Sequence, residues 1–517
     1  MKKIYILILC SIVAASLHAQ EGFGTYLRDI IQKQEKGILV AAKLIEACGL
    51  CDSLDIIMDY ESENRYMRGE IPEVITYYAF GDDRFYAPQH RYYGYTLFAE
   101  TDEFWESELG KDYKTITAAD VASYIQQFGL FDEANESTDF SDPSSTLYQF
   151  VTYHLLNRRL TPNHLVNHIN EYGYTISDPN RLSVPVTEYY VTMGKRRLLK
   201  LYESAESDGV YINRFPYLDN SRLGTYKEVH CDPEKEGIRI DTKNTTQIIN
   251  AIIYPIGKLL AYDQKTTMNM GNTRLRMDVA SIFPEMASND IRLSTLSDER
   301  HKNVYLPCDI YPYLDDVTII NDNTKFCYWT GWGNGWANMQ GDEFAILGMQ
   351  DITLRLPPVP KSGTYELRLA TQSGNPNRST IQIYFGTDKN KLSPLGMPID
   401  MRQGANYIRT TSGNIQSFIG YQADTNDEYI DQMNDNELHE NGFMKGCKQY
   451  SNYSSTMRDR QECLRRVIGK MTMEPNQTYY LRLKNVTDNP STQLYLDYLE
   501  FCPESVYDNP EKPEDIW

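Results

Sequence analysis

Residues 95–104 read YTLFAETDEF, and this stretch decides how the first half of the chain is interpreted. The residues from Tyr95 to Phe98 form a short strand pattern. Thr101 follows at the position of a helix N-cap. Asp102 and Glu103 then place negative charge in the first helical turn, where the helix dipole favours it. The stretch therefore predicts a strand that passes directly into a helix.

Three other segments accompany this stretch along the chain. LIEACGLCDSL occupies residues 44–54, Tyr153 and His154 are adjacent, and NAIIYPIGKLL occupies residues 250–260. Together the four segments resemble the conserved boxes of fasciclin domains, in the same order. Two departures are Glu100, where the family has proline, and Asp102, where it has asparagine. The residues that carry the resemblance are Tyr95, Thr96, Phe98, Thr101, Asp102, Tyr153, His154 and Asn250.

This resemblance implies a wedge-shaped α/β domain over residues 20–265. Fasciclin domains serve extracellular adhesion and contact with matrix or glycans, without catalysis. The last box differs from the family pattern, because Ala251, Tyr254 and Gly257 stand where the family has glycine, histidine and aspartate. The resemblance therefore implies the fold more directly than it implies adhesion.

The composition of the whole chain limits its class. A length of 517 residues predicts more than one domain. The net charge of −20 would repel a polyanion over most of the surface, which argues against nucleic acid as a partner. The 40 tyrosines offer broad rings with hydrogen-bonding tips, which suit polar interfaces.

The amino-terminal residues are typical of an export signal. Lys2 and Lys3 precede an apolar run, and residues 1–19 end in a small residue before the expected cut. We therefore expect an exported chain at the cell surface, associated with the outer membrane, or in the periplasm. The alternative is a lipid anchor at Cys10. The short apolar stretch before that cysteine and the lack of small residues there argue against it.

The second half has strand patterns of period two, at 352–356, 364–370, 380–386, 478–484 and 493–501. In the second of these, Glu366 and Arg368 are predicted to face water, opposite Leu367 and Leu369. Within residues 266–507, the segments 341–372, 442–450, 479–485 and 494–503 resemble the galactose-binding-like jelly-roll β-sandwich that follows fasciclin domains in exported proteins of glycan-scavenging Gram-negative bacteria. That resemblance implies an accessory role beside polysaccharide uptake systems. Residues 508–517 are predicted to be an acidic, proline-containing tail.

Residues 324–343, TKFCYWTGWGNGWANMQGDE, carry the predicted binding site. Glycines between the tryptophans favour display of the rings, and neighbouring amides could bond sugar hydroxyls while a ring stacks on the sugar. The alternative is that the rings belong to the core, because buried tryptophan is common. The predicted ligand-binding residues are Trp329, Trp332, Asn334, Trp336 and Asn338.

Catalytic and metal sites are not predicted. Asp342 and Glu343 are adjacent, so on a strand they point to opposite faces and form no carboxylate pair. Residues 424–442 are rich in oxygen ligands but lack the spacing of a calcium loop, so they are interpreted as a solvated acidic loop, with a bound cation such as calcium as the alternative. Cys48 and Cys51 are separated by two residues, as in redox-active CxxC motifs. The pattern around them favours two half-buried thiols at the end of a helix instead.

The sequence therefore predicts a non-catalytic, exported protein with an α/β module followed by an all-β module. Its expected partner is an extracellular polysaccharide or glycan, and no cofactor is predicted. The alternative function is a protein-binding scaffold, in which the same aromatic residues hold transporter proteins of an outer-membrane uptake complex.

Overall fold

The computed structural model describes residues 22–517 except 73, 80–82, 132–134, 136, 168–186, 205–208, 220–227, 293–302, 330–337, 373, 405–406, 411–412, 417–420, 426 and 449–455. The predicted signal peptide and Cys10 lie outside the described residues. Within the described ranges, no helix combines the length and the apolar character needed to cross a membrane.

Seven of the described α-helices begin at a side chain that caps them. The Thr101 hydroxyl accepts a hydrogen bond from the Phe104 amide at 3.2 Å, and Thr117 and Asp120 form a capping box. The α-helices are α1 (Phe23–Lys33), α2 (Leu39–Ala47), α3 (Cys51–Leu54), α4 (Tyr60–Met67), α5 (Asp102–Leu109), α6 (Ala118–Gln126), α7 (Thr146–Tyr153), α8 (Gln264–Gly271), α9 (Val279–Ile282), α10 (Pro284–Ser288), α11 (Glu428–Glu440) and α12 (Glu504–Tyr507).

The strands that precede α8 share the first core with the helices. They are β1 (Thr76–Ala79), β2 (Asp83–Tyr86), β3 (Tyr95–Glu100), β4 (Leu155–Leu156), β5 (Thr187–Val191), β6 (Leu198–Ser204), β7 (Gly209–Ile212), β8 (Tyr217–Leu218), β9 (Glu228–His230), β10 (Ile238–Arg239), β11 (Thr246–Ile248) and β12 (Ala251–Ile256).

The first core brings the four fasciclin-like segments together. Strand β3 lies between β12 and β4 in a sheet of order β11-β12-β3-β4. It pairs in parallel with β12, from Tyr95 opposite Ala251 to Glu100 opposite Ile256. Helices α2 and α7 share this core with both strands. All six residues of β3 are buried, as expected for a strand covered on both faces.

The strands after α8 alternate with turns, as their period-two patterns predict. They are β13 (Leu275–Asp278), β14 (Val304–Leu306), β15 (Val317–Ile319), β16 (Thr324–Trp329), β17 (Glu343–Gly348), β18 (Asp351–Arg355), β19 (Gly363–Gln372), β20 (Thr380–Gly386), β21 (Ser393–Pro394), β22 (Ile399–Asp400), β23 (Tyr407–Thr410), β24 (Gly413–Gln416), β25 (Phe443–Lys445), β26 (Cys463–Met473), β27 (Tyr480–Asn485), β28 (Gln493–Leu496) and β29 (Tyr498–Pro503).

Three open sheets surround the second core. Their strand orders are β13-β29-β19-β26-β25, β15-β18-β27-β20-β21 and β1-β2-β14-β16-β17-β28. The described fold is thus mixed α/β, with strands as the main regular structure of the second half. The two cores do not divide the chain at one residue, because Ile71 and Phe85 belong to the second core. Helix α8 also spans the predicted boundary between residues 265 and 266.

The sheet of order β10-β7-β6-β5 lies between the two cores. On β6, Leu199 and Leu201 belong to the first core. Leu198 on the opposite face belongs to the second core, as does Tyr189 of β5. Since side chains alternate across a strand, Lys200 shares a face with Leu198 and Tyr202.

Two local predictions are wrong. Glu366 and Arg368 are buried rather than solvated, because β19 is an inner strand and its second face is covered. Arg368 reaches Glu366 at 2.7 Å and Glu514 at 2.6 Å, so residues 508–517 also pack against the protein. The predicted acidic loop contains helix α11, because the Asp427 carboxylate caps it and Leu438 buries its inner face.

The eight cysteines from Cys48 onward all lie in the described ranges, and none of them forms a disulfide there. Cys48 and Cys51 are buried at the end of α2, where Gly49 has a φ of 69° and stops the helix. Burial raises the pKa of Cys48 to about 12 and that of Cys51 to about 11. Both thiols therefore stay protonated. They lie at the end of a helix, as the sequence predicts.

Candidate functional site

The predicted tryptophan site lies partly outside the described residues, because Trp332, Asn334 and Trp336 fall between 330 and 337. Trp329 ends strand β16 and is partly buried, with its ring centroid 5.7 Å from that of Phe85. Asn338 is fully buried. The structure thus shows the two flanking residues of the prediction packed against the protein.

Three fasciclin-like residues bind backbone groups of the first core. The Asp102 carboxylate accepts hydrogen bonds from the amides of Gly37, Leu39 and Val40, at 2.7, 3.0 and 2.9 Å. The Asn250 amide accepts from the Phe23 amide at 3.0 Å and donates to the Leu54 carbonyl at 2.9 Å. Thr101 caps α5. These side chains tie the helices to the central strands.

The other fasciclin-like residues are similarly engaged. His154 is buried, with one ring nitrogen 2.7 Å from the Phe150 carbonyl and the other 2.9 Å from the Glu100 carboxylate. The Thr96 hydroxyl donates to the Arg158 carbonyl at 2.7 Å. The Tyr95 hydroxyl donates to the Ser53 carbonyl, and the Phe98 ring stacks on that of Tyr254. The Tyr153 hydroxyl donates to the Leu198 carbonyl and accepts from the Asn213 amide. Their polar groups hold the fold together.

The carboxylates considered for catalysis are also buried. Asp342 accepts hydrogen bonds from the Tyr328 hydroxyl at 2.8 Å and from Arg292 at 3.1 Å. Glu343 pairs across the sheet with Trp329. Among the described residues, no three His, Cys, Asp or Glu side chains are arranged to hold a metal ion.

A cavity of about 510 Å³ lies between strands β5 and β6, on one side, and strand β13 with the end of the chain on the other. Its volume is within the range of small-molecule sites, roughly 300–1,000 Å³. Sequence reasoning missed it, because its walls come from segments more than 300 residues apart. The aromatic residues that line it are Tyr189, Tyr202, Phe215, Tyr217 and Trp517.

Charged side chains of the cavity are mainly cationic. Among the described residues of its lining, the cations are Lys200, Lys235, Arg274, Arg276 and Lys512, and the carboxylates are Glu514 and Asp515. This local balance is opposite to the net charge of −20 on the whole chain. The described lining therefore has an excess of cationic side chains, on a protein that is acidic as a whole.

On one wall of the cavity, a buried carboxylate neutralises the two arginines. Buried Glu500 lies 2.7 Å from Arg276 and 3.5 Å from Arg274. Burial alone would raise the pKa of Glu500, but the charges of Arg465, Arg276, Arg274 and Arg368 outweigh it and hold that pKa well below its usual range. Glu500 is therefore ionised and balances the guanidinium groups.

The end of the described chain closes another side of the cavity. The Trp517 indole donates a hydrogen bond to the Asp219 carbonyl at 2.6 Å, and Lys448 lies 4.6 Å above its ring. Arg274 donates to the carbonyl groups of Asp515 and Trp517. These contacts fix residues 514–517 as a wall of the cavity.

The opposite wall carries Lys200, which the sequence analysis did not single out. Its side chain is 7% exposed, and burial lowers its pKa to about 7. The signal in the sequence was its place on strand β6, two residues from Leu198 and two from Tyr202. A lysine flanked at those positions by buried apolar side chains faces the same interior.

Comparisons with known proteins give no family. No protein-family model matches the chain, and no curated protein matches it. Among solved structures, the adhesin domain of Lys-gingipain from Porphyromonas gingivalis W83 is similar at 12% identity, with 35% of this chain and 92% of that chain covered and a TM-score of 0.17.

Two other solved structures are similar to the same low degree. Arthrobacter globiformis T6 isomalto-dextranase, complexed with panose, has 10% identity, with 36% of this chain and 23% of that chain covered and a TM-score of 0.16. A mosquito-larvicidal toxin from Bacillus thuringiensis has 11% identity, with 63% and 41% covered and a TM-score of 0.19. Likenesses of this size do not support a fold family or a function for this chain.

Proposed function

We propose that the chain is a non-catalytic, exported carbohydrate-binding protein and that its binding site is the cavity lined by strands β5, β6 and β13 and by residues 505–517. The observation that carries the proposal is the lining of this cavity, where aromatic rings alternate with polar side chains. The proposal includes the fasciclin-like interpretation of the first core and the jelly-roll-like interpretation of the second.

The lining suits a saccharide because sugars present both apolar C–H faces and hydroxyl groups. Aromatic rings cover the apolar faces, while amide and hydroxyl groups exchange hydrogen bonds with the sugar. The cavity offers both kinds of group. Its uncharged polar residues are Thr187, Asn269, Asn272, Thr273, Ser505 and Asn509.

The accessible aromatic residue is Tyr217, whose side chain is 41% exposed. Its ring stacks on that of His230, with centroids 4.3 Å apart, and Lys235 donates a hydrogen bond to its hydroxyl at 3.0 Å. These two contacts preorganise the ring, which reduces the entropy lost on binding. We therefore assign Tyr217 to the first contact with the saccharide.

Affinity electrophoresis in gels that contain single polysaccharides tests the proposal. We expect retarded migration in at least one gel and weaker retardation for Tyr217→Ala. The matched control is Tyr429→Ala, since Tyr429 is 71% exposed and lies outside the cavity.

The double substitution Trp332→Ala and Trp336→Ala separates the cavity from the predicted tryptophan site. Retardation that survives in this variant supports the cavity, while retardation lost only in this variant moves the site to the tryptophan segment. Normal migration of the wild type through a broad panel, together with capture of transporter proteins, supports the scaffold instead.

A further inference from the structure

Lys200 is a buried cation within the cavity. Its ammonium group lies 4.4 Å from the ring centroid of Phe215 and 5.1 Å from that of Tyr202. Both rings also line the cavity. Cation–π contacts of this kind stabilise a charge only partly when it is removed from water.

No carboxylate forms an ion pair with this charge among the residues that the structure describes. No acidic oxygen there lies within 4.0 Å of the Lys200 ammonium nitrogen, whereas Arg276 reaches Glu500 at 2.7 Å. A buried charge without a counter-ion costs free energy. Such a group is stabilised when a ligand brings the opposite charge.

The charges of Glu228 and Asp515 act on Lys200 without forming an ion pair with it, and the charge of Arg214 opposes them. Glu228 is paired with Arg214 at 2.7 Å. Asp515 belongs to the opposite wall, and burial raises the pKa of Cys231 and so keeps its thiol neutral. His230, which stacks on Tyr217, is the remaining ionisable ring near the cavity mouth.

We propose that the cavity recognises an anionic sugar residue, either a uronate or a sulfated sugar, whose oxyanion binds the ammonium group of Lys200. This inference rests on the proposed function, because it specifies the class of saccharide that the same cavity binds. A lysine suits both sources, since it offers a compact charge rather than the planar fork of arginine.

Binding of such a ligand takes up a proton near neutral pH. Burial lowers the pKa of Lys200 to about 7 in the free protein, so part of the population is uncharged there. The ligand's negative charge raises that pKa and recruits the proton. Affinity for the anionic sugar therefore falls as the pH rises from 6 to 9, and the affinity for a neutral sugar does not follow this trend.

Isothermal titration calorimetry of the full chain with three trisaccharides tests the proposal. The probes are trigalacturonate, a sulfated galactose trimer and neutral galactotriose. At pH 6 we expect one anionic probe to bind at least about tenfold more tightly than the neutral one, as a charge-assisted hydrogen bond predicts. The arm that binds distinguishes a carboxylate from a sulfate.

The variants separate this proposal from the proposed function. Lys200→Met should equalise the affinities for anionic and neutral probes, while Lys200→Arg should keep the anionic preference and lose its dependence on pH. Lys243→Met is the control, since Lys243 is exposed and is not among the residues that line the cavity. An anionic preference that persists in Lys200→Met overturns the charge assignment only.

Wild-type protein gives an independent readout that needs no variant. Titration at pH 7.5 in two buffers of different ionisation enthalpy should show net proton uptake with the anionic probe and none with galactotriose. Tight anionic binding without proton uptake overturns the role of Lys200. Absence of binding by all three trimers and by the polysaccharide panel overturns the proposed function as well.

Discussion

The two walls of the cavity hold their cations in opposite ways. Arg274 and Arg276, on one wall, are balanced by buried Glu500. Lys200, on the other wall, has no acidic partner within 4.0 Å among the described residues. The arginines have their counter-ion without a ligand, whereas the lysine would gain one from an anionic ligand. The contrast assigns the guanidinium groups to the fold and the ammonium group to recognition.

The fasciclin-like residues, like Arg274 and Arg276, have partners for their polar groups within the protein. Asp102 is fully buried, yet its carboxylate accepts hydrogen bonds from three amides. His154 has partners for both ring nitrogens. A motif whose polar atoms are all engaged inside the core specifies a structure, because buried polar groups are tolerated when they are paired.

Removal of the Glu500 charge should have the largest effect on stability. Glu500→Gln removes the carboxylate nearest to Arg276 and Arg465 and leaves Arg274 with Glu514. We expect this to lower the free energy of unfolding by about 3–5 kcal/mol. Urea denaturation at pH 7 measures the change. Glu504→Gln is the control, because Glu504 is exposed.

The pH dependence of that loss sharpens the comparison. The pKa of Glu500 is lower in the folded chain than in the unfolded one. Its stabilising contribution is therefore present above the unfolded pKa and disappears as the pH falls through the folded pKa. The difference between wild type and Glu500→Gln should shrink on acidification. A loss below about 1 kcal/mol at pH 7 would mean that the arginines find other partners.

Removal of the Lys200 charge should stabilise the protein, whereas removal of the Glu500 charge should destabilise it. We expect Lys200→Met to raise the free energy of unfolding at pH 7 by about 1–3 kcal/mol, because an apolar side chain replaces a buried cation that has no counter-ion. Urea denaturation of both proteins at several pH values measures this gain, with Lys243→Met as the exposed control.

The sign of the pH effect follows from the lowered pKa. Between pH 7 and about 10.5 the unfolded chain binds more protons at Lys200 than the folded chain, so wild-type stability rises with pH in that window. The advantage of Lys200→Met should therefore decline above pH 7. A destabilised variant would show that Lys200 has a partner in the fold and would remove the contrast between the walls.

The sequence alone could predict the features that depend on neighbouring residues. The strand at residues 95–98 and the cap at Thr101 follow from a local pattern of apolar and capping residues, and the structure confirms both. The period-two segments likewise become strands β18, β19, β20, β27, β28 and β29. Their spacing carries the information because side-chain direction alternates along a strand.

Features that depend on distant partners could not be predicted. Glu366 and Arg368 have the local pattern of a solvated strand face, but Glu514 binds Arg368 from 146 residues away. The cavity similarly joins β6 to residues 505–517. Periodicity indicates which side chains share a face, but it does not indicate which segment covers that face.

The smallest effect is expected at Lys235, a further cation of the cavity. Its side chain is 29% exposed, lies 3.2 Å from Asp232 and bonds the Tyr217 hydroxyl. We expect Lys235→Met to lower the free energy of unfolding by only about 0.5 kcal/mol, because water screens such pairs, and added salt should shrink the loss. Urea denaturation in low and high NaCl measures both, with Lys258→Met, a more exposed pair with Glu236, as control. A gain in the free energy of unfolding as large as that of Lys200→Met would show that any lysine in this cavity is destabilising. Lys200 would then not differ from the partly exposed Lys235.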